Sequence, residues 1–397
     1  MLSVPFLLRY RAVVDALLTR AVEQVVPLDL AEKLFASKKH LRVYLGIDPT
    51  GSKLHLGHSV PLRKLQAFAD AGHEVIFIVG SFTAMIGDPS GRDAQRVPLT
   101  KDQVEENFQT YKKQAGKVLD FSKVTIRYNH EWLSKVTYEH VVEHASHFTV
   151  QQMEKRDMFA ERLKKDIPIS VHEFLYPLMV GYDSVVLDVD CEIGGSDQLF
   201  NMLCGRTLQK AYGKREKFVL TTKLIEGTDG RKMSKTFDNC IWIDDTSEEM
   251  YGKILSIHDG LIATYMECCT DIPMGEIADA VEAMKGGSNP KAFKMRLAKE
   301  IVTIYHGAKA AAKAEEEFSK VFTCHGTPSA IQEVKVKRGT KLVDVLVEHH
   351  LVASKSEARR LIEQKGISID GTTVATFDVA AGAGIVKVGK RKFLKIL

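Results

Sequence analysis

Residues 42–58 read RVYLGIDPTGSKLHLGH, and the fold follows from how this stretch is parsed. Arg42–Ile47 is a short apolar run of the kind that forms a buried strand. It passes into Gly46-Ile47-Asp48-Pro49-Thr50-Gly51, then His55-Leu56-Gly57-His58, then a helical pattern over 62–71. A strand, a loop and a helix in that order present a helix N-terminus, whose free N–H groups and positive dipole end suit phosphate. His55 and His58 are three apart, so they share one face if the first turn is helical. Gly57 between them leaves room for a flat ring, such as adenine, against the backbone. Two surface histidines on a capped helix start, or a partial metal site, would explain the same residues. A metal is disfavoured, because no Cys or acidic third ligand lies in helical register.

Outward from this stretch, Glu74–Val79 (EVIFIV), Val124–Tyr128 and residues 185–189 (VVLDV) read as further buried strands. Helical patterns such as 101–118 lie between them. The alternation predicts an α/β fold over residues 1–245, a Rossmann-like, mainly parallel sheet with helices on both faces. Such sheets bind nucleotides at the carboxyl ends of their strands. From Ser247 to about Phe322 the pattern is helical with an Ala-rich finish, which predicts an α-helical region over 246–330. A passage with Gly, Pro, Ser and alternating Val-Lys, 324–339, reads as a linker and domain boundary. The last part, 335–397, is expected to be a small α+β domain. It has a helix-turn-helix pair at Leu342–Glu348 and 355–364, then short strands around 366–371.

Composition narrows the class. The 397 residues are 45% hydrophobic and 27% charged, which excludes a disordered chain, a collagen and a small disulfide scaffold. No apolar run approaches the roughly 20 residues that span a bilayer. The N-terminal apolar patch is broken by Arg9 and Arg11 and lacks a basic lead, so it does not read as a signal peptide. The expected setting is the cytoplasm. Cys191, Cys204, Cys240, Cys268, Cys269 and Cys324 form no C-x-x-C pair and read as reduced, mostly buried thiols. The net charge of +4 is uneven: residues 331–397 hold 13 Lys and Arg against 7 Asp and Glu. A basic tail on a near-neutral body suits a polyanion such as RNA, although a solvated lysine-rich surface would look the same.

A second motif lies 174 residues beyond His58, in Gly227-Thr228-Asp229-Gly230-Arg231-Lys232-Met233-Ser234-Lys235-Thr236. Two lysines three apart on a closing loop neutralise charge that develops as pyrophosphate leaves a polyphosphate. Alone, the run could be a solvated turn. H-x-G-H near the N-terminus together with K-M-S-K after the sheet is far more specific than either.

With this pair the sequence resembles the class I aminoacyl-tRNA synthetases. Further motifs are similar to those of bacterial-type tyrosyl-tRNA synthetases. They are Tyr44 ahead of Gly46-Ile47-Asp48-Pro49-Thr50, Ile86-Gly87-Asp88-Pro89-Ser90-Gly91, Tyr176 with Gly181-Tyr182-Asp183, and Ile193-Gly194-Gly195-Ser196-Asp197-Gln198. The resemblance covers essentially the whole chain, since the basic tail matches the family's small RNA-binding domain. It implies activation of L-tyrosine by ATP, with Mg²⁺ arriving on the nucleotide, and transfer of the tyrosyl group to tRNA(Tyr). Among site residues it implies that Thr50, His55, Lys232 and Lys235 bind the triphosphate, and that His58 and Asp197 contact the ribose. Gly46, Asp48, Gly57 and Gly195 would give the nucleotide close approach to the backbone. Tyr44 and Asp183 would bracket the phenolic hydroxyl, Asp88 and Tyr176 would hold the α-ammonium, and Gln198 would face the substrate carboxylate. No dedicated metal site is implied.

Two places depart from the family or match it loosely. Val180 stands where a glutamine commonly helps bind the ammonium. The segment 128–132 follows the family only loosely, so Asn129 is left out of the site. An insertion around 134–165 would supply a homodimer interface, although its apolar positions suit a core equally well. The tryptophanyl enzymes are a rival within the class, but two polar groups aimed at a ring hydroxyl would sit unpaired against indole. A rival of another kind is an RNA-binding protein that keeps the fold without catalysis, against which the intact His55, His58, Lys232 and Lys235 argue.

Overall fold

The structure, a computed structural model, describes residues 4–37, 40–88, 99–154, 156–320, 331–337, 339–389 and 392–397. Its contacts divide the chain into two compact units, Met1–Ala314 and Glu315–Leu397.

The first unit is built on six strands: β1 Val22–Val26, β2 Arg42–Ile47, β3 Glu74–Val79, β4 Val124–Tyr128, β5 Cys191–Gly195 and β6 Phe218–Thr222. They lie in the order β1-β6-β5-β2-β3-β4. All neighbours are parallel except the edge pair β1–β6. In β3 every residue after Glu74 is buried, and β6 is buried throughout. Such continuous burial is what helices on both faces require of a parallel sheet. The chain moves outward through β2, β3 and β4, then crosses back to lay β5 against the other side of β2. Loops leaving the carboxyl ends of β2 and β5 therefore part in opposite directions, and a crevice opens at that switch point.

The expected strand at 185–189 is not a strand. It is the end of a helix, Val171–Leu187, that stops at Asp188 in the left-handed conformation (φ 47°). This helix buries Tyr176, Leu178, Gly181, Asp183, Ser184, Val185 and Leu187, so its apolar residues show no one-sided stripe. Two β-branched residues at its end then resemble a strand, and packing overrides the local preference. The true strand, β5, reads CEIGG, and a glutamate and two glycines disguise it. The helix expected over 62–71 begins earlier and spans Leu56–Asp70 with Pro61 inside it. A proline there forfeits one backbone hydrogen bond without ending the helix. Helix Lys101–Ala115 is fixed at its start by a capping box between Thr100 and Gln103.

After β6 the chain is helical: Ser247–Leu255, Ile262–Cys269, Met274–Lys285, Pro290–His306 and Ala308–Phe318. The second unit has five strands: β7 Gln332–Val334, β8 Ile367–Ile369, β9 Thr372–Thr373, β10 Gly384–Val388 and β11 Lys392–Ile396. Their order is β7-β11-β10-β8-β9. Helices Leu342–Glu348 and Lys355–Glu363 contribute Leu342, Leu346, Ala358 and Ile362 to a core shared with Ile367, Val386 and Leu394. Within the passage read as a linker, Gln332–Val334 is β7, pairing parallel to β11. Residues 324–330, Cys324 among them, lie outside the described residues. The other five cysteines are buried free thiols. Among the described residues no helix is long and apolar enough to cross a membrane.

Candidate active site

Backbone ties the first motif to the segment that follows the second. The Leu56 N–H donates to Ile241 O and the Ile243 N–H to Leu54 O, each at 2.9 Å. Trp242, between them, sets its ring 5.8 Å from that of His55. The crevice is a cavity of about 400 Å³. All fifteen residues singled out in the sequence line it: Tyr44, Gly46, Asp48, Thr50, His55, Gly57, His58, Asp88, Tyr176, Asp183, Gly195, Asp197, Gln198, Lys232 and Lys235. Pro89, Ser90 and Gly91, which complete one of the motifs, lie outside the described residues.

His55 caps the helix Leu56–Asp70 from an extended backbone, and its ring stacks on His58 with centroids 3.7 Å apart. A Cβ on Gly57 would come within 2.9 Å of the His55 ring, so only glycine permits this stack. Burial, then His58 and Lys232, push the His55 imidazole down to about 2. Burial also lowers His58 to about 4, although Asp197 pulls it back. Both rings are neutral at pH 7. His58 Nδ1 accepts the His55 backbone N–H at 3.2 Å, so the neutral ring carries its proton on Nε2.

Lys232 Nζ reaches Asp197 Oδ2 at 2.8 Å, across the cavity. Lys235 opens a turn of 3-10 helix and is exposed. The loop that carries both lysines is organised by Asn239, which sequence reasoning passed over. This residue is 2% exposed. Its Nδ2 lies 2.7–3.2 Å from Asp229 Oδ1, Arg231 O and Lys232 O, and its Oδ1 accepts the Ser234 N–H at 2.8 Å. The Asn239 bond leads the contacts that hold the Asp229 carboxyl down to about 2.

On the opposite wall, Asp48 Oδ1 accepts from Thr83 Oγ1 (2.7 Å) and Oδ2 accepts from the Tyr176 hydroxyl (2.9 Å). Thr50 turns back so that its N–H meets Asp48 O at 2.8 Å. Gln198 donates to Asp88 Oδ2 at 2.8 Å, and the buried Arg156 guanidinium lies 3.6 Å from Asp88 Oδ1. Val180 also lines the cavity.

Tyr44 (1% exposed) and Asp183 (3%) are buried in the cavity wall. Asp183 Oδ1 accepts the Trp132 Nε1–H at 2.7 Å, and Oδ2 accepts from Asn129 Nδ2 at 3.3 Å. Burial drives the Asp183 carboxyl well up, and these two donors pull it part of the way back. Asn129 thus joins the site from which the loose match at 128–132 had excluded it. It also donates to Thr83 Oγ1, while its Oδ1 accepts the Phe82 N–H. Only the loose match at 128–132 pointed toward Asn129 and Trp132, and no local pattern announces Arg156, because each acquires its partner only through the fold. Among the described residues no group of three or more His, Cys, Asp or Glu is placed to hold a metal ion.

The chain matches known proteins along its length. Residues 36–323 match the family model described as tRNA synthetases class I (W and Y), and residues 317–395 match a tyrosine–tRNA ligase SYY-like C-terminal domain. The tyrosine–tRNA ligase of Thermotoga maritima is 48% identical over 364 residues, covering 90% of this chain and 91% of the relative. That of Carboxydothermus hydrogenoformans is 46% identical over 399 residues, with 96% and 97% covered. Among solved structures, the tyrosyl-tRNA synthetase of Archaeoglobus fulgidus complexed with L-tyrosine superposes with a TM-score of 0.63 at 23% identity. It covers 77% of this chain and 99% of that one, a likeness of fold.

Proposed function

Since the chain belongs to the class I tRNA synthetases of the tryptophan and tyrosine group, we propose that the cavity between β2 and β5 is where ATP activates tyrosine. The protein is a tyrosine–tRNA ligase. Tyrosine and ATP give tyrosyl-adenylate and pyrophosphate, and the tyrosyl group then passes to the 3′-terminal adenosine of tRNA(Tyr). The observation that carries the site is the convergence of both motifs and the Tyr44–Asp183 pair on one cavity.

The substrate carboxylate is itself the nucleophile, so the protein needs no covalent intermediate and no strong base. Its work is to position two substrates and stabilise charge at the α-phosphate. Thr50, His55, Lys232 and Lys235 take the triphosphate, with Mg²⁺ carried in on the nucleotide. His58 presents its Nε2–H to the ribose, beside Asp197, while Gly46, Asp48, Gly57 and Gly195 let the nucleotide approach the backbone. The Tyr176 hydroxyl proton is committed to Asp48. Its oxygen therefore faces the α-ammonium as an acceptor, next to Asp88. Gln198 has a second amide proton for the substrate carboxylate. Tyr44 and Asp183 read the phenolic hydroxyl.

The helical stretch after residue 246 and the basic unit that follows are assigned to tRNA. The insertion around 134–165 is assigned to a homodimer interface, which the exposure of Tyr138 (85%), Val142 (54%), Val150 (64%) and the neighbouring Val171 (78%) supports. A sedimentation experiment giving a monomer at micromolar concentration would count against it. The protein is placed in the cytoplasm, with ATP and tRNA. ATP–pyrophosphate exchange across tyrosine, tryptophan and phenylalanine tests the site as a whole. Exchange should depend on tyrosine, and equal rates with tryptophan would refute the assignment of Tyr44 and Asp183.

A further inference from the structure

Behind Tyr44 lies a buried cluster of Lys217, Ser184 and Glu192, the last of which also lines the cavity. Lys217 is 0% exposed, Ser184 0% and Glu192 4%. Lys217 Nζ forms a very short ion pair with Glu192 Oε2 and lies 2.5 Å from Ser184 Oγ. Ser184 Oγ in turn lies 2.9 Å from the Tyr44 hydroxyl and 3.4 Å from Glu192 Oε2. The ammonium also stands 5.6 Å from the centre of the Tyr44 ring. Room for the cluster is kept by Gly205, where a Cβ would fall 2.6 Å from both Lys217 Nζ and Ser184 Oγ. A buried cation fixed on a serine in the wall of a substrate cavity calls for a reason. A well-packed apolar residue would fill the same space without desolvating two charges.

The proton inventory supplies the reason. An ammonium has three donors and no acceptor, so Ser184 can only accept from Lys217. The serine then has one proton to place, and Glu192 at 3.4 Å is a poor partner already engaged by Lys217. Tyr44 at 2.9 Å is the good one. Ser184 therefore donates to the Tyr44 oxygen, and the tyrosine's own proton turns away from Ser184, where Glu192 and the cavity are the places it can point. We propose that Lys217, through Ser184, fixes Tyr44 as a hydrogen-bond donor to the substrate's phenolic oxygen, making Lys217 and Ser184 positioning residues for choosing tyrosine over phenylalanine. Asp183 faces the same hydroxyl with both oxygens already accepting N–H groups and lone pairs to spare. A phenol both accepts and donates, and this pair offers one partner for each. Without the lysine, Ser184 could accept from Tyr44 instead, and the donor would be turned away from the substrate.

The inference rests on the site reading above, and the test separates the two. The quantity to measure is the ratio of kcat/KM for tyrosine to that for phenylalanine in pyrophosphate exchange. Ser184→Ala leaves the Lys217–Glu192 pair intact and should lower the ratio about tenfold, the scale of one buried hydrogen bond. Its kcat/KM for phenylalanine should stay within about twofold. Lys217→Met combined with Glu192→Gln removes both charges at once and should lower the ratio in the same way. This double variant decides the matter if Ser184→Ala does not fold. Tyr44→Phe serves as the reference for the site itself. A wild-type ratio in Ser184→Ala beside a lowered one in Tyr44→Phe overturns the inference alone. Equal losses for both amino acids reduce Ser184 to a structural role and also overturn it. An unchanged ratio in Tyr44→Phe overturns the site reading and this inference with it.

Discussion

Lys232 Nζ and Asp197 Oδ2 stand 2.8 Å apart, so the loop lysine and the aspartate just beyond β5 neutralise each other across the cavity that both line. Both side chains are partly solvated, at 46% and 31% exposure, and such pairs contribute ~0–1 kcal/mol to stability. The same lysine aimed at a leaving pyrophosphate is expected to contribute far more to the transition state. Lys232→Ala should therefore leave the melting midpoint nearly unchanged while lowering kcat for exchange by roughly 10²–10³-fold. A midpoint that collapses while kcat is spared would show that the ion pair, not phosphate binding, is the residue's role.

Asp183→Ala removes a carboxylate that Trp132 and Asn129 both donate to. Loss of its bond to the substrate hydroxyl should lower tyrosine use by about 10–100-fold relative to phenylalanine use, the range for a hydrogen bond to a charged group. Some stability is lost as well, because two buried donors are left unpartnered. The ratio of the two substrates cancels that loss, and a constant ratio would reject the assignment.

Val180 brings an isopropyl group to the part of the cavity assigned to the α-ammonium. Glu192 does not stand in for the missing acceptor, because it is engaged by Lys217 and Ser184. A missing partner for a buried charge costs about 1–3 kcal/mol. Val180→Gln should therefore lower KM for tyrosine by about tenfold with little change in kcat, because the ammonium's charge changes little on the way to the transition state. A KM that stays level or rises would mean that the ammonium is already satisfied, or that the glutamine is crowded.

Removing the chain after residue 330 deletes the basic second sheet and should spare pyrophosphate exchange. Aminoacylation should fall steeply, and whatever tRNA binding remains should depend less on salt, because phosphate contacts have been lost. Normal charging of tRNA by the shortened chain would place the RNA contact elsewhere.

The stacked histidines predict a pH response. Burial lowers His55 to about 2 and His58 to about 4. Both bind protons more weakly when folded than the roughly 6.5 of a free imidazole. The stability tied to their neutrality is thus fully present above about pH 6.5 and is lost as the pH falls toward 4. Ring C–H resonances of both, assigned with His55→Asn and His58→Asn, should stay fixed between pH 7.5 and 5. A titration midpoint near 6.5 for either would contradict the buried, neutral stack.

What the sequence made legible were the parts whose chemistry is local. Three parallel strands rich in β-branched and aromatic residues, the helices that cover them and the two motif-bearing loops all carry their signal within a dozen residues. The run at 185–189 was misread because a helix buried nearly all round shows neither a stripe nor alternation. β1 and β6, reading VEQVV and FVLTT, were not picked out as strands. The site residues found in the sequence are those within recognisable motifs. Those missed, namely Asn129, Trp132, Arg156, Asn239 and the Lys217–Glu192 pair, are single polar residues in ordinary surroundings. Asp183 lies 54 residues from Asn129, and only the closed fold brings such a pair together, whereas the partners of Asn239 lie within its own loop.

The buried amide of Asn239 gives the lysine-bearing loop a mechanical character. Because Asp229, Arg231, Lys232 and Ser234 are all tied to one side chain, the segment keeps its shape when Lys232 lets go of Asp197. What swings is a side chain, or a rigid flap turning about its ends, and not a melted strand of chain. Fixing a flexible residue costs about 1–2 kcal/mol of conformational entropy. In this loop that ordering is done once, during folding, so on the proposed role an arriving nucleotide would meet a backbone already in shape beneath the two lysines.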